Sequence, residues 1–262
     1  MTPKRIGKPS IKGCEVKNVD GVFIRPDNND VDTHSLRVSW RLLKCVTPIR
    51  YSRFCSDQIH KILGTTDVHI TDACGGNGGD TITFAHTFTS VHTLEVDPQE
   101  FRILKNNVQT YKLSNVTLQN QSAVTYLRNH AARKSGGDVL YLDPPWGEDY
   151  KKYYKMHLYL DNINIIDIVH DANFYLTVIK VPYNYKYREL DSYLSQRGCI
   201  VWRKPVRNYY LIFIKKPWIF SPVRLIIPNN CIDDTETESL PDSFPRDRYL
   251  DLPEEDADYK PP

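Results

Sequence analysis

The stretch Thr71-Asp-Ala-Cys-Gly-Gly-Asn-Gly-Gly-Asp-Thr81 decides how the rest of the chain is read. It follows a short apolar run, Val68-His-Ile-Thr-Asp72, and precedes another from Thr81 to Phe88. A strand, a glycine turn and an apolar stretch in that order read as the opening of a ligand-binding crossover. Gly76, Gly78 and Gly79 let the main chain turn sharply and approach a ligand closely. The spacing is not the dinucleotide G-x-G-x-x-G, and without the Walker lysine it is no nucleotide phosphate loop. The next strand, Val91-His-Thr-Leu-Glu95, ends on an acid. Glu95 lies roughly 20 residues after the first strand, where folds of this kind hold the ribose hydroxyls of a nucleoside.

Strands and helices alternate from there on. Pro98 opens a helix through Tyr111 with Phe101, Leu104 and Val108 on one face. Val116–Leu118 is a third strand, Ala123–Leu127 starts a helix, and Asp138–Asp143 is a fourth strand with the near-continuous apolar character of burial on both faces. A helix from Asn162 to Val169, a strand over Phe174–Lys180 and a helix over Arg188–Ser195 follow. Ile200–Trp202 and Tyr209–Ile214 close the series and are near enough in sequence to be antiparallel. The fold class predicted is α/β: a Rossmann-like, mainly parallel, seven-stranded sheet with helices on both faces. Upstream, residues 13–40 suggest a small lobe or hairpin, and Ser56-Asp57 a helix cap before Ile59, Ile62 and Leu63.

A second motif, Leu142-Asp-Pro-Pro-Trp-Gly147, stands at the carboxyl end of the fourth strand, the edge at which open α/β sheets bind ligands. Two prolines fix φ and remove two backbone donors. An exocyclic amine has two N–H donors, and Asp143 and the Pro144 carbonyl can each accept one. Trp146 offers a ring face for stacking a base.

The order Asp-Ala-x-x-Gly-x-Gly-Gly-x-Thr from Asp72 to Thr81, Glu-Val-Asp-Pro from Glu95 to Pro98, Lys105-Asn-Asn107 and Pro144-Pro-Trp-Gly147 resembles the trimethylguanosine synthase family, S-adenosylmethionine-dependent RNA cap guanine-N2 methyltransferases. The resemblance covers about residues 69–216. It implies that Asp72, Cys74, Gly76 and Gly78 line an S-adenosylmethionine pocket with Asp143, that Glu95 holds the ribose, and that Trp146 stacks on the 7-methylguanine of a cap. Asp143, Pro144 and Trp146 would then carry catalysis. Two positions depart from the family pattern. The family often has Ser where this chain has Asp143, and Asp-Pro-Pro is commoner in adenine-N6 and ribosomal guanine-N2 enzymes. The family also places an Asp after the third strand for the adenine amino group, where spacing here gives Ser122. An adenine-N6 or uncapped-RNA guanine-N2 methyltransferase, and an inactive methyltransferase-like RNA-binding subunit, therefore stay open.

Charge first argues against nucleic acid and then for it. The 262 residues carry a formal +2. From 228 to 262, however, eleven acids face three bases, which leaves the remainder at +10. The organisation expected is an N-terminal arm and extension over 1–64 contributing to the substrate pocket, a methyltransferase domain over 65–227, and an acidic disordered tail over 228–262. Lys151 in the basic, tyrosine-rich run Lys151–Lys155, and Arg53 in Arg50-Tyr-Ser-Arg-Phe54, are the candidate RNA or cap contacts. No window is apolar enough for a membrane span, no secretory signal is visible, and six scattered cysteines show no metal spacing. An intracellular, cytoplasmic or nuclear protein without membrane or structural metal is expected, and a viral source would suit it.

Overall fold

The computed structural model describes residues 21–23, 31–131 and 137–217, all within one compact unit, Met1–Ile226. The basic arm and the acidic tail at 228–262 lie outside the described residues. In chain order the elements are α1 (Ile49–Leu63), β1 (His69–Asp72), α2 (Gly79–Thr87), β2 (Ser90–Leu94), α3 (Pro98–Thr110), β3 (Val116–Gln119), α4 (Ala123–Ala131), β4 (Gly137–Leu142), β5 (Tyr159–Leu160), β6 (Ile163–Asn164), α5 (Ile165–Asp171), β7 (Phe174–Pro182), α6 (Tyr187–Ser195), β8 (Ile200–Val206) and β9 (Tyr209–Lys215). Seven of the strands form one sheet in the order β3-β2-β1-β4-β7-β9-β8. The pairs from β3 to β7 are parallel, and β9 runs antiparallel to both β7 and β8. The order reverses direction between β1 and β4, which places a crevice at their carboxyl ends.

Helices cover both faces, and the strand sequences follow from that. Every residue of β7 is buried, as are Val139, Leu140, Tyr141 and Leu142 of β4. One core lies against α4, α5 and α6, and a second against α1 and α2. Local chemistry sets the helix ends. Asp97 accepts the Gln99 and Glu100 N–H groups ahead of Pro98 and so caps α3. Gly64, at φ 72°, closes α1.

Three local expectations are corrected. The helix proposed from Asn162 begins at Ile165, because Asp161 and Asn162 are left-handed and close a β5–β6 hairpin. Asn164 then caps α5 by accepting the Ile166 N–H. Ser56 and Asp57 cap nothing: α1 already begins after Pro48, and the Ser56 hydroxyl bonds back to the Ser52 carbonyl. The described part of the N-terminal extension is not a separate lobe or hairpin. Leu36 and Val38 are buried in a third cluster with Ile82 of α2 and Leu104 of α3. Leu36→Ala is therefore expected to destabilise the protein by roughly 2–5 kcal/mol, read by urea unfolding. An independent arm would give less than about 0.5 kcal/mol.

Candidate active site

The site assembles at the carboxyl edge of β1, β2 and β4. Its glycine turn is shaped as much by the protein as by any ligand. A Cβ on Gly75 would lie 2.3 Å from the Thr93 methyl group of β2, so only glycine lets the turn lie against that strand. Gly78 has φ +93° and stands at the N-cap of α2. Asp72, buried at the end of β1, accepts the Thr81 hydroxyl at 2.6 Å and, weakly, the Cys74 N–H. Burial pushes its carboxyl up to about 7, against the Thr81 hydrogen bond and with help from Asp80. Glu95 accepts the Gly76 N–H and the Asp97 N–H, both at 2.8 Å. Each Glu95 oxygen keeps a lone pair for a ribose hydroxyl.

Behind the turn lies a buried polar clamp that the motifs do not announce. Asn77 donates to Glu100 at 2.7 Å and accepts the Ser39 N–H at 2.9 Å. Asn107 donates to the carbonyls of Arg37 and Asn77 and accepts the Arg37 N–H. The extension, the turn and α3 are thereby tied together through groups whose hydrogen bonds are closed.

At the end of β4, Asp143 accepts the Lys180 ammonium of β7 at 2.7 Å. Lys180 also donates to Thr47 at 2.8 Å, and its Nζ lies 5.8 Å from the Trp146 ring centroid and 5.1 Å from that of Tyr209. The Lys180 side chain is 6% exposed and that of Asp143 20%, so the carboxylate is the partner that remains open to a substrate. Burial raises Asp143 to about 6, with Lys180 opposing and Asp80 reinforcing the shift. Burial alone would lower Lys180, but Asp143 and Asp80 outweigh it and hold the ammonium above its ordinary value. Asp80, at the start of α2, accepts the hydroxyls of Thr47, Ser52 and Tyr141. Sequence reading missed both Asp80 and Lys180. The signals were present: an acid directly after the glycines, and a lysine inside an otherwise apolar strand.

The other proposed residues divide. Pro144 is buried directly after Asp143. Trp146 is half-buried and wedged between the two main cores, edge-on to Tyr150 at 5.1 Å, with its indole N–H buried and unpaired. Lys151 is exposed and lies over the Tyr150 ring at 5.7 Å, joined to Trp146 through that ring. Arg53 is exposed on α1, and the residue of that segment that reaches the cluster is Tyr51, packed on Tyr209 at 6.1 Å. Cys74 stands in the turn, and burial with Asp143 and Asp72 nearby pushes its thiol far up, which suits packing and not nucleophilic attack. Ser122 accepts the Thr125 N–H at the start of α4 and donates to the Asp161 carboxylate carried by the β5–β6 hairpin. A carboxylate thus stands beside the serine that sequence reading found in place of one.

The acceptor set fits a nucleoside bearing a cationic sulfur: Glu95 and Asp143 are partly exposed at the sheet edge, Asp72 is buried beside the turn, and the charge of Lys180 is held by Asp143 and Asp80. With the sheet order, these features define an S-adenosylmethionine-dependent methyltransferase domain. A family model described as RNA cap guanine-N2 methyltransferase matches residues 67–196, just under half of the chain. An uncharacterized protein of Acanthamoeba polyphaga mimivirus is 28% identical over 153 residues, which is 56% of this chain. The chain spans 58% of the length of that curated relative. A hypothetical protein of a Thermus species superposes with a TM-score of 0.53 at 15% identity, over 73% of this chain and 99% of the other, a likeness of fold alone. No helix among the described residues is long and apolar enough to cross a membrane.

The raised carboxyl of Asp72 has a consequence for stability. It binds its proton more tightly folded than unfolded, so its contribution is fully present below about pH 4 and is lost as pH rises through about 7. Asp72→Asn is expected to flatten the fall in stability across that window. Urea midpoints measured at each pH test this, and an unchanged slope would refute it.

Proposed function

We propose that this domain transfers a methyl group from S-adenosylmethionine to an exocyclic amine of RNA, namely guanine N2 of a 7-methylguanosine cap. The observation that carries this is the Asp143 carboxylate, held at the sheet edge beside the glycine turn and followed by Pro144 and Trp146. The family match over 67–196 supports the choice of guanine N2. When bound, the cofactor supplies an electrophilic methyl group on a cationic sulfur.

The chain's own residues orient the acceptor. One Asp143 oxygen is taken by Lys180, and the other accepts one N–H of the amine. The Pro144 carbonyl accepts the second, which turns the nitrogen lone pair toward the methyl carbon. Guanine N2 is a weak nucleophile because its lone pair is delocalised. A hydrogen bond to Asp143 strengthens as positive charge grows on the nitrogen, so its benefit falls mainly in the transition state. The C–S bond breaks as the C–N bond forms, leaving S-adenosylhomocysteine, and the proton then lost from the methylated nitrogen passes to Asp143 and on to water. Positioning supplies most of the remaining gain, on the order of 7–11 kcal/mol. The open part of Trp146 stacks on the base, and an N7-methylated guanine carries a positive charge that favours an aromatic face. Lys151 and the exposed Tyr153 and Tyr154 guide the RNA chain.

Asp143→Ala should slow single-turnover methyl transfer on the order of a hundredfold while S-adenosylhomocysteine affinity by calorimetry stays within about threefold. Equal loss in both would sink the role. Trp146→Ala should weaken binding of a labelled cap analogue by about 1–3 kcal/mol in fluorescence anisotropy. Unchanged anisotropy would reject stacking. The deciding assay is mass-detected methylation of a 7-methylguanosine cap analogue beside uncapped RNA. The acid at position 143 favours one second reading, an adenine-N6 or uncapped guanine-N2 enzyme, and preferential methylation of uncapped RNA would establish it instead.

A further inference from the structure

We propose that Lys180 is a positioning residue for methyl transfer: its buried ammonium fixes the orientation of the Asp143 carboxylate and keeps it an acceptor. This rests on the proposed role of Asp143, and it assigns a function to a residue outside both sequence motifs.

The geometry leaves little else for Lys180 to do. It lies on β7 among Val178, Ile179 and Val181, all fully buried, in a strand otherwise made of apolar residues and Thr177. A buried ammonium is tolerated only when paired and hydrogen-bonded. Its partners are the Asp143 carboxylate at 2.7 Å and the Thr47 hydroxyl at 2.8 Å, and its Nζ lies 5.8 Å from the Trp146 ring centroid and 5.1 Å from that of Tyr209. Every one of these contacts is with the site edge. The ammonium holds Oδ2 and leaves Oδ1 as the second acceptor of the carboxylate.

The surroundings of Asp143 make a cation necessary. Asp80 of α2 and Asp72 of β1 act on the same region as acids. Cys45 and Cys74 on the flanking loops, Cys55 of α1, Tyr141 of β4 and Tyr209 of β9 are neutral, their ionisation opposed by burial and by these carboxylates. Lys180 is the cation that touches the carboxylate. Without it, Asp143 is a buried acid among acids and takes up a proton. A protonated Asp143 presents an O–H where the amine needs an acceptor. The same logic couples the two positions. A serine at 143 would remove the carboxylate that Lys180 touches and leave the buried ammonium only the more distant Asp80, so the lysine belongs with the aspartate.

The test uses the full chain carrying aspartate labelled with carbon-13 at the side-chain carboxyl, with the Asp143 resonance identified from Asp143→Asn. In Lys180→Met this resonance should titrate at least about two pH units higher than in the wild type. Single-turnover methyl transfer at about pH 7 should fall at least about tenfold and recover toward about pH 9, following the fraction of ionised Asp143. Lys180→Arg should restore both readouts in part. In the Asp143→Asn background, Lys180→Met should have no further effect on the rate. An unshifted Asp143 resonance, or the same slowing in the Asn background, would overturn the proposal. Should Lys180→Met fold poorly, Asp143→Ser with and without Lys180→Met decides: the double variant should melt higher than Asp143→Ser, and a lower melting temperature would overturn the pairing. An unshifted resonance in an active enzyme refutes Lys180 alone. A shifted resonance in a wild type that methylates no RNA refutes the reaction assigned to the site, and the positioning role with it.

Discussion

Three aspartates sit in low-polarity surroundings at one edge of the sheet, and the rest of the site is arranged around keeping them there. Asp72, Asp80 and Asp143 come from β1, the start of α2 and the end of β4. Isolated carboxylates so placed would be protonated or hydrated. Each has a defined set of donors, Thr81 for Asp72, three hydroxyls for Asp80 and Lys180 for Asp143, although burial still raises Asp72 and Asp143. The donors arrive from α1, α2, β4, β7 and the loop before α1. Satisfying one small acidic cluster therefore fixes how several layers of the fold meet.

Much of this was legible in the chain. The glycine turn, the acid at the end of β2 and the Asp-Pro-Pro-Trp edge are local signals, because a few adjacent residues must take special backbone angles or stand at a strand end. The sheet was legible for a similar reason: β4 and β7 are buried on both faces and read as apolar runs. Partners that meet only in three dimensions were not legible. Lys180 reads as one polar residue in an apolar strand, with no hint of its role until Thr47 and Asp143 are seen beside it. Asn77 and Asn107 read as turn and helix-surface residues, yet both are buried. In Arg50-Tyr-Ser-Arg-Phe54, Arg53 is exposed and helical geometry brings Tyr51 to the aromatic cluster.

The N-terminal extension illustrates the same limit from the opposite direction. Its composition suggested a lobe, since Leu36-Arg-Val-Ser-Trp40 is too short to announce a partner. Leu36 and Val38 nonetheless close a core of their own with α2 and α3, while Trp40 stays 61% exposed. A Cβ on Gly79 would meet Val46 and Thr47, so part of the glycine signal that reads as room for a ligand is room for the protein's own extension.

The bond between Lys180 and Thr47 joins residues 133 apart in sequence. Closing so long a loop costs chain entropy that the contact alone does not offset, so it depends on the ordered sheet between its ends. A partly folded chain with β1 to β3 in place would hold the glycine turn but not the charge balance at Asp143. Ligand capture then acts as a check on completed folding: a molecule that needs both halves of the crevice binds only the finished sheet, and it stabilises the whole unit by mass action and not merely the loop it touches.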